Sequence, residues 1–152
     1  MFPTLSLSFI VEVADQIQLK FHGVDFPVIN LKSENPFVQS PGNIINIDIK
    51  PKVFYPTEQP DYFKIIQEVT LSSSNFFELF IISVGTFELK ANVDENLKKV
   101  FVNINAPAIM FPYVRAFITT LTTNLGNVTS PLIIPTQFFK GELEEVQHLI
   151  EK

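Results

Sequence analysis

The chain opens in alternation. Leu5, Leu7, Phe9, Val11 and Val13 recur at period two against Ser6, Ser8, Glu12 and Ala14, the pattern of a strand with one buried face. Ile17, Leu19 and Phe21 continue it against Gln16, Gln18 and Lys20 after a slip at Ala14-Asp15-Gln16, as a bulge inside one long strand would produce. Gly23, Pro27, Pro36, Pro41 and Gly42 predict a loop or irregular edge segment over 23–43. Ile45, Ile47 and Ile49 opposite Asn46, Asp48 and Lys50 predict a strand over 43–50, which Pro51, Pro56 and Pro60 turn into a connection. Tyr62 to Leu71 reads as another strand, with Phe63, Ile65, Val69 and Leu71 inward and Lys64, Glu68 and Thr70 outward. Ser72 to Asn75 is a turn of short polar side chains. Phe76 to Lys90 pairs back. Its Phe76, Phe77, Leu79, Phe80, Ile81 and Ile82 make it apolar on both faces, so both must be covered.

The final third changes period. After a short segment around Leu97–Ile104, Pro107 opens a series in which Met110, Val114, Phe117, Ile118, Leu121 and Leu125 recur at helical spacing. Pro112 should start that helix proper or kink its first turn, and Gly126 supplies its C-cap. Pro131 to Pro135 runs extended. Thr136 then caps a last short helix over 137–151, with Phe138, Phe139, Leu143, Val146 and Ile150 apolar. Strands over 1–91 and helices over 92–152 predict one α+β domain, an antiparallel sheet with helices on one face.

Composition changes this picture in one respect. The chain holds 16 Phe and no Trp in 152 residues. So many rings call for a subunit interface or an exposed apolar surface beside the core. The net charge of −5 lacks the clustered Lys and Arg that nucleic acid demands. No Cys is present, so there is no disulfide framework, thiolate zinc site or thiol nucleophile. Met1 to Ile10 has no basic residue before its apolar stretch, unlike a signal peptide. No run of about 18 apolar residues predicts a membrane span. Together these features point to the cytoplasm.

Asn105-Ala-Pro-Ala-Ile-Met-Phe-Pro-Tyr-Val-Arg-Ala-Phe-Ile118 carries a resemblance. It is similar to the opening of the long helix in the SecB export chaperone family, with Phe111, Pro112, Tyr113 and Arg115 in that family's Phe-Pro-Tyr-x-Arg pattern and Val114 and Ala116 as departures. Leu132 to Phe138 resembles the family's segment before its last helix, and Tyr62 to Lys90 its central strands. The motif residues read as structural: Pro112 lacks a donor that a first turn does not need, while Tyr113 and Arg115 anchor the backbone there.

The resemblance implies a four-stranded antiparallel sheet with a long helix and a short C-terminal helix on one face. It also implies a homo-oligomer, dimer or tetramer, built by pairing first strands and by helix–helix packing. Interface candidates are therefore Leu7, Phe9, Val11 and Val13, with Phe117 and Leu121 on the helix. Its activity would be that of a holdase, which grips unfolded or precursor polypeptides in apolar grooves without ATP. Candidate client contacts are Phe26, Phe37, Phe76, Phe77, Phe80 and Ile82. Non-directional burial suits a protein that accepts many sequences. Better-known members dock the export motor ATPase through an acidic sheet surface. Here Asp15 falls near one such acid, but Lys20 and Ser83 stand in the region of others, and the chain ends without a long acidic tail. A dedicated client, such as an antitoxin, is the other partner the resemblance implies.

Other chemistry finds little footing. His22 and His148 lie far apart with no second ligand at metal spacing. Glu144 and Glu145 read as a solvated face, Ser72 to Ser74 has no nucleophile elbow, and the five glycines form no phosphate loop. Asn127-Val-Thr129 fits a glycosylation acceptor by chance, Gly126-Asn127 serving to end the helix. The expectation is a binding protein without enzyme activity, cofactor or metal. Its rivals are an adaptor of the same fold for one fixed partner, and a small enzyme or ligand carrier.

Overall fold

A computed structural model of the chain describes residues 18–34, 45–90, 92–137 and 139–149. Its strands are β1 (Leu19–Ser33), β2 (Asn46–Phe54), β3 (Tyr62–Ser73), β4 (Phe77–Leu89) and the short β5 (Glu144–Glu145), in the sheet order β1-β4-β3-β2-β5. All pairs are antiparallel except β2 with β5. One long helix, α1 (Glu95–Thr123), crosses one face. The architecture is α+β with a five-stranded mixed sheet.

Alternation places Phe63, Ile65, Val69 and Leu71 of β3 beside Phe87, Gly85, Ile81 and Leu79 of β4, all beneath the helix. Val114, Ile118 and Met110 of α1 close that core without exposure. Gly85 lies where the helix comes nearest, since a Cβ there would sit 2.9 Å from Met110 Sδ. Two buried polar side chains fix the layers. Gln67 Nε2 donates to the Pro107 carbonyl at 3.1 Å, and Ser83 Oγ donates to the Gln67 carbonyl at 2.9 Å.

The helix starts where Asp94 accepts from the Asn96 N–H at 3.2 Å, an N-cap with Glu95 on the positive end of the dipole. It is α-helical over Glu95–Val100, widens to a π-helical turn over Phe101–Asn105, and is α-helical again over Ala106–Thr123. The wide turn precedes Pro107, whose ring would crowd the Asn103 carbonyl in an unbroken α-helix. By length and composition alone α1 is apolar enough to cross a membrane, but Met110, Val114 and Ile118 are packed on the sheet.

Four expectations change. Residues 23–33 are strand and not loop: Gly23, at φ 119°, and Pro27 fall at the two register shifts of β1 against β4, where bulges tolerate both residues. β2 runs on through Pro51 to Phe54, because β2 lies at the margin of the four long strands and Pro51 needs no partner for a donor on its outer side. Pro112 neither begins nor ends a helix and sits exposed within α1. The short C-terminal helix is absent from the described part of residues 137–151, and the sheet is not four-stranded. Gly141, at φ 84°, interrupts the helical period, and Glu144–Glu145 pair with Lys52 and Val53 of β2 as a fifth strand.

Candidate functional site

Two sheet edges lack a partner among the described residues: the outer side of β1, and β2 over Asn46 to Pro51, which lies beside a cavity. Val53 presents its carbonyl outward, accepting from the Val146 N–H at 2.9 Å. Strand geometry alternates the backbone groups, so Ile47, Ile49 and Pro51 also point away from β3. From Asn46 to Pro51 no described strand pairs with that edge. A long unpaired edge is a template for another extended chain.

Beside it lies a cavity of about 290 Å³ lined by Ile45, Ile47, Leu71 and the segment Thr129 to Ile134. This segment, the strap, follows α1 and is bound to it once per helical turn. Thr122 Oγ1 accepts from the Leu132 N–H at 2.9 Å, Thr119 Oγ1 donates to the Leu132 carbonyl at 2.8 Å, and Arg115 Nε donates to the Ile134 carbonyl at 2.7 Å. Arg115 Nη1 also reaches Thr136 Oγ1 at 3.3 Å. These bonds fix an extended strap with Leu132 and Ile134 buried, while Ile133 is 81% exposed. Ile47 across the cavity is 38% exposed. Thr129 is buried with its hydroxyl unpartnered among the described residues. The result is a slot with apolar walls and an open strand edge. It can take an extended apolar segment by strand addition, hydrogen bonds coming from the backbone and selectivity from the side-chain walls.

The opposite margin is aromatic. β1 is the last described strand on that side. Phe26 stacks on Phe117 of α1 at 4.0 Å, and Phe21 lies 5.1 Å from both Phe87 and Tyr113. Tyr113 remains 56% exposed. Leu97, Val100 and Ile104 form an exposed apolar stripe on the outer side of α1.

The residues singled out from sequence scatter. Phe77 is buried under the helix, and Phe76 and Phe26 flank the same core, half-buried. Phe80 and Ile82 belong to the other face, in a smaller cluster with Ile66, Val84, Val146 and Leu149. Phe111 is buried against Phe139 at 5.7 Å, and Leu121 and Phe117 are half-buried against the main core. Leu7, Phe9, Val11, Val13 and Phe37 lie outside the described residues. Sequence reasoning passed over Ile47, Ile133 and Thr129 as site residues. Leu132-Ile-Ile-Pro135 is an unbroken apolar run, and nothing in it tells which isoleucine faces out.

Electrostatics is mild. Burial, then the Glu145 and Glu95 carboxylates, push the Tyr55 hydroxyl up from its ordinary value. Glu88 accepts from His22 Nε2 at 2.9 Å, and that bond, with Lys20 and Tyr62 nearby, holds its carboxyl below the ordinary value. Among the described residues no cluster of His, Cys, Asp and Glu has the form of a metal site.

Comparison with known proteins places this geometry. The chain is 31% identical over 115 residues, 71% of either chain, to the uncharacterized protein MJ0357 of Methanocaldococcus jannaschii. Its fold matches that of the Rv1957 SecB-like chaperone of Mycobacterium tuberculosis, a structure solved with a ChAD peptide from the Rv1956 HigA1 antitoxin. That match has a TM-score of 0.62 at 12% identity, over 90% of this chain and 99% of the other. Residues 16–139 match the family described as preprotein translocase subunit SecB, and the chain therefore belongs to the SecB family.

Proposed function

We propose that this protein is an ATP-independent holdase that grips extended, unfolded polypeptide in the slot between the β2 edge and the strap. The observation that carries the proposal is the edge from Asn46 to Pro51, unpaired among the described residues, beside the exposed Ile47 and Ile133. Backbone hydrogen bonds are blind to sequence, and each large apolar side chain buried adds roughly 1.5–3 kcal/mol. Such a site binds without catalysing and needs no cofactor. The peptide complex of the SecB-like chaperone of M. tuberculosis supports a polypeptide occupant.

The second face of the sheet favours a dedicated client, such as an antitoxin, over the export motor. Lys20, Lys32, Lys50, Lys52 and Lys64 alternate there with Asp48, Glu68, Glu78 and Glu88, so that face is not an acidic docking surface. The protein works in the cytoplasm as a dimer or tetramer. Its second copy uses the β1 margin and the Leu97, Val100 and Ile104 stripe.

Light scattering of a chemically unfolded, aggregation-prone protein tests the reading. Suppression at near-stoichiometric ratio without nucleotide, lost in Ile47→Asp and Ile133→Asp, is the expected result. No suppression by the folded protein, with tight capture of a single cellular partner, would replace the holdase by an adaptor of the same fold.

A further inference from the structure

The C-terminal segment, residues 139–149, wraps around the β2 margin from one face of the sheet to the other. Phe139 and Leu143 pack on the helix-side core, while Val146 and Leu149 pack on the second-face cluster. Between them Glu144 and Glu145 pair with Lys52 and Val53. The segment thus binds β2 as the proposed client would, by strand addition, on the stretch that continues the open edge.

We propose that this segment is an intramolecular stop that sets how long a client strand the slot accepts. The inference rests on the client-slot reading. Two features support a stop that can be displaced. Its hold is light: both β5 residues are exposed, Val146 N–H bonds to the Val53 carbonyl, and Leu143 N–H bonds to Asn103 Oδ1 at 2.9 Å. It also borders an open groove of about 460 Å³, lined by Val53, Lys99, Val102, Leu143 and Glu145 among others, so that flank of the segment faces solvent and not a packed layer.

Pro51 marks the border. It sits at an outward position of the edge and has no N–H to offer, so a strand paired with Asn46–Pro51 loses one ladder bond just before it meets Glu144. A client that fits the open half binds with the stop in place. A longer one must push residues 144–149 off β2, and its affinity is reduced by that displacement.

The test uses the full chain and two fluorescent peptides that are apolar and unstructured. One has about six residues, matched to the open half at about 3.3 Å per residue, and the other about twelve. Val146→Asp releases the stop by placing a charge among Ile66, Ile82 and Val84. Lys52→Cys with Glu144→Cys, paired neighbours in a chain without cysteines, locks it on oxidation and frees it on reduction in the same protein.

Release should tighten the long peptide about tenfold and locking weaken it by a similar factor, with the short peptide unchanged. The same long-to-short ratio in the locked, reduced and released forms, both peptides binding, would overturn the stop alone. Binding of neither peptide in any form overturns the client slot, and the stop with it. The redox pair keeps the test sound if Val146→Asp unfolds.

Discussion

The two faces of the sheet are closed by different means. The helix face is sealed by α1 with the buried Leu132 and Ile134 of the strap beside it, and its buried polar groups are used as ties: Gln67 to Pro107, Thr122 to Leu132. The second face has a small apolar stripe, Ile66, Ile82 and Val84, with Val146 and Leu149 of the C-terminal segment against it. Its rim holds the Lys52–Glu68 ion pair at 2.8 Å and the Lys64–Thr86 bond at 2.8 Å. A face sealed by a long helix supplies stability, whereas a face covered by the short C-terminal segment is free to exchange its cover.

Substitutions distinguish the faces. Ile118→Ala, beneath the helix with no exposure, should cost about 2–5 kcal/mol in urea unfolding because its neighbours cannot collapse into the space. Ile66→Ala on the second face should cost about 2 kcal/mol, at the low end for a buried isoleucine, since the C-terminal segment above can settle. Equal losses at the two sites would erase the distinction. Thr122→Val should cost about 1 kcal/mol by leaving the buried Leu132 N–H without its acceptor. In the same variant, hydrogen exchange should rise first in the strap, residues 129–134. Exchange rising first in β3 and β4 would show that the tie serves the core and not the slot wall.

The smallest effect is a pH dependence on the second face. Hydrogen bonding to His22, with Lys20 and Tyr62 nearby, lowers the Glu88 carboxyl below its ordinary 4.5. The contribution is therefore present above that value and is lost as pH falls through the lowered one. Glu88→Gln should be slightly less stable than the parent at neutral pH and equal to it in strong acid. A difference that persists in acid would assign the effect to packing.

Much of the fold was legible. The inward set of β3, the two-faced apolar β4, the helical series from Met110 to Leu121 and the turn around Asn75, at φ 69°, follow from periodicity and side-chain chemistry. The Phe-Pro-Tyr-x-Arg stretch pointed to the family, but it lies inside α1 and not at its entrance, and Arg115 bonds the strap at the Ile134 carbonyl. The candidate site was less legible. Phe76 and Phe77 stand out by composition, yet Phe77 is core, while the slot is walled by ordinary isoleucines whose side depends on the strap's bonds to α1.

The sequence by itself determined the period of each element and the need for a second cover over β4, because alternation and helical spacing are local properties of a chain. It could not place Gly23 and Pro27 in bulges, carry β2 through Pro51, or turn the apolar residues of 139–149 into a wrapped segment in place of a helix. Those outcomes depend on what lies alongside. A bulge needs a partner strand to slip against, an edge proline needs the outer side of the sheet, and Glu144–Glu145 became a strand because β2 offered unpaired backbone there. Only the tertiary structure decides which edge is open, since an edge is defined by the neighbour it lacks.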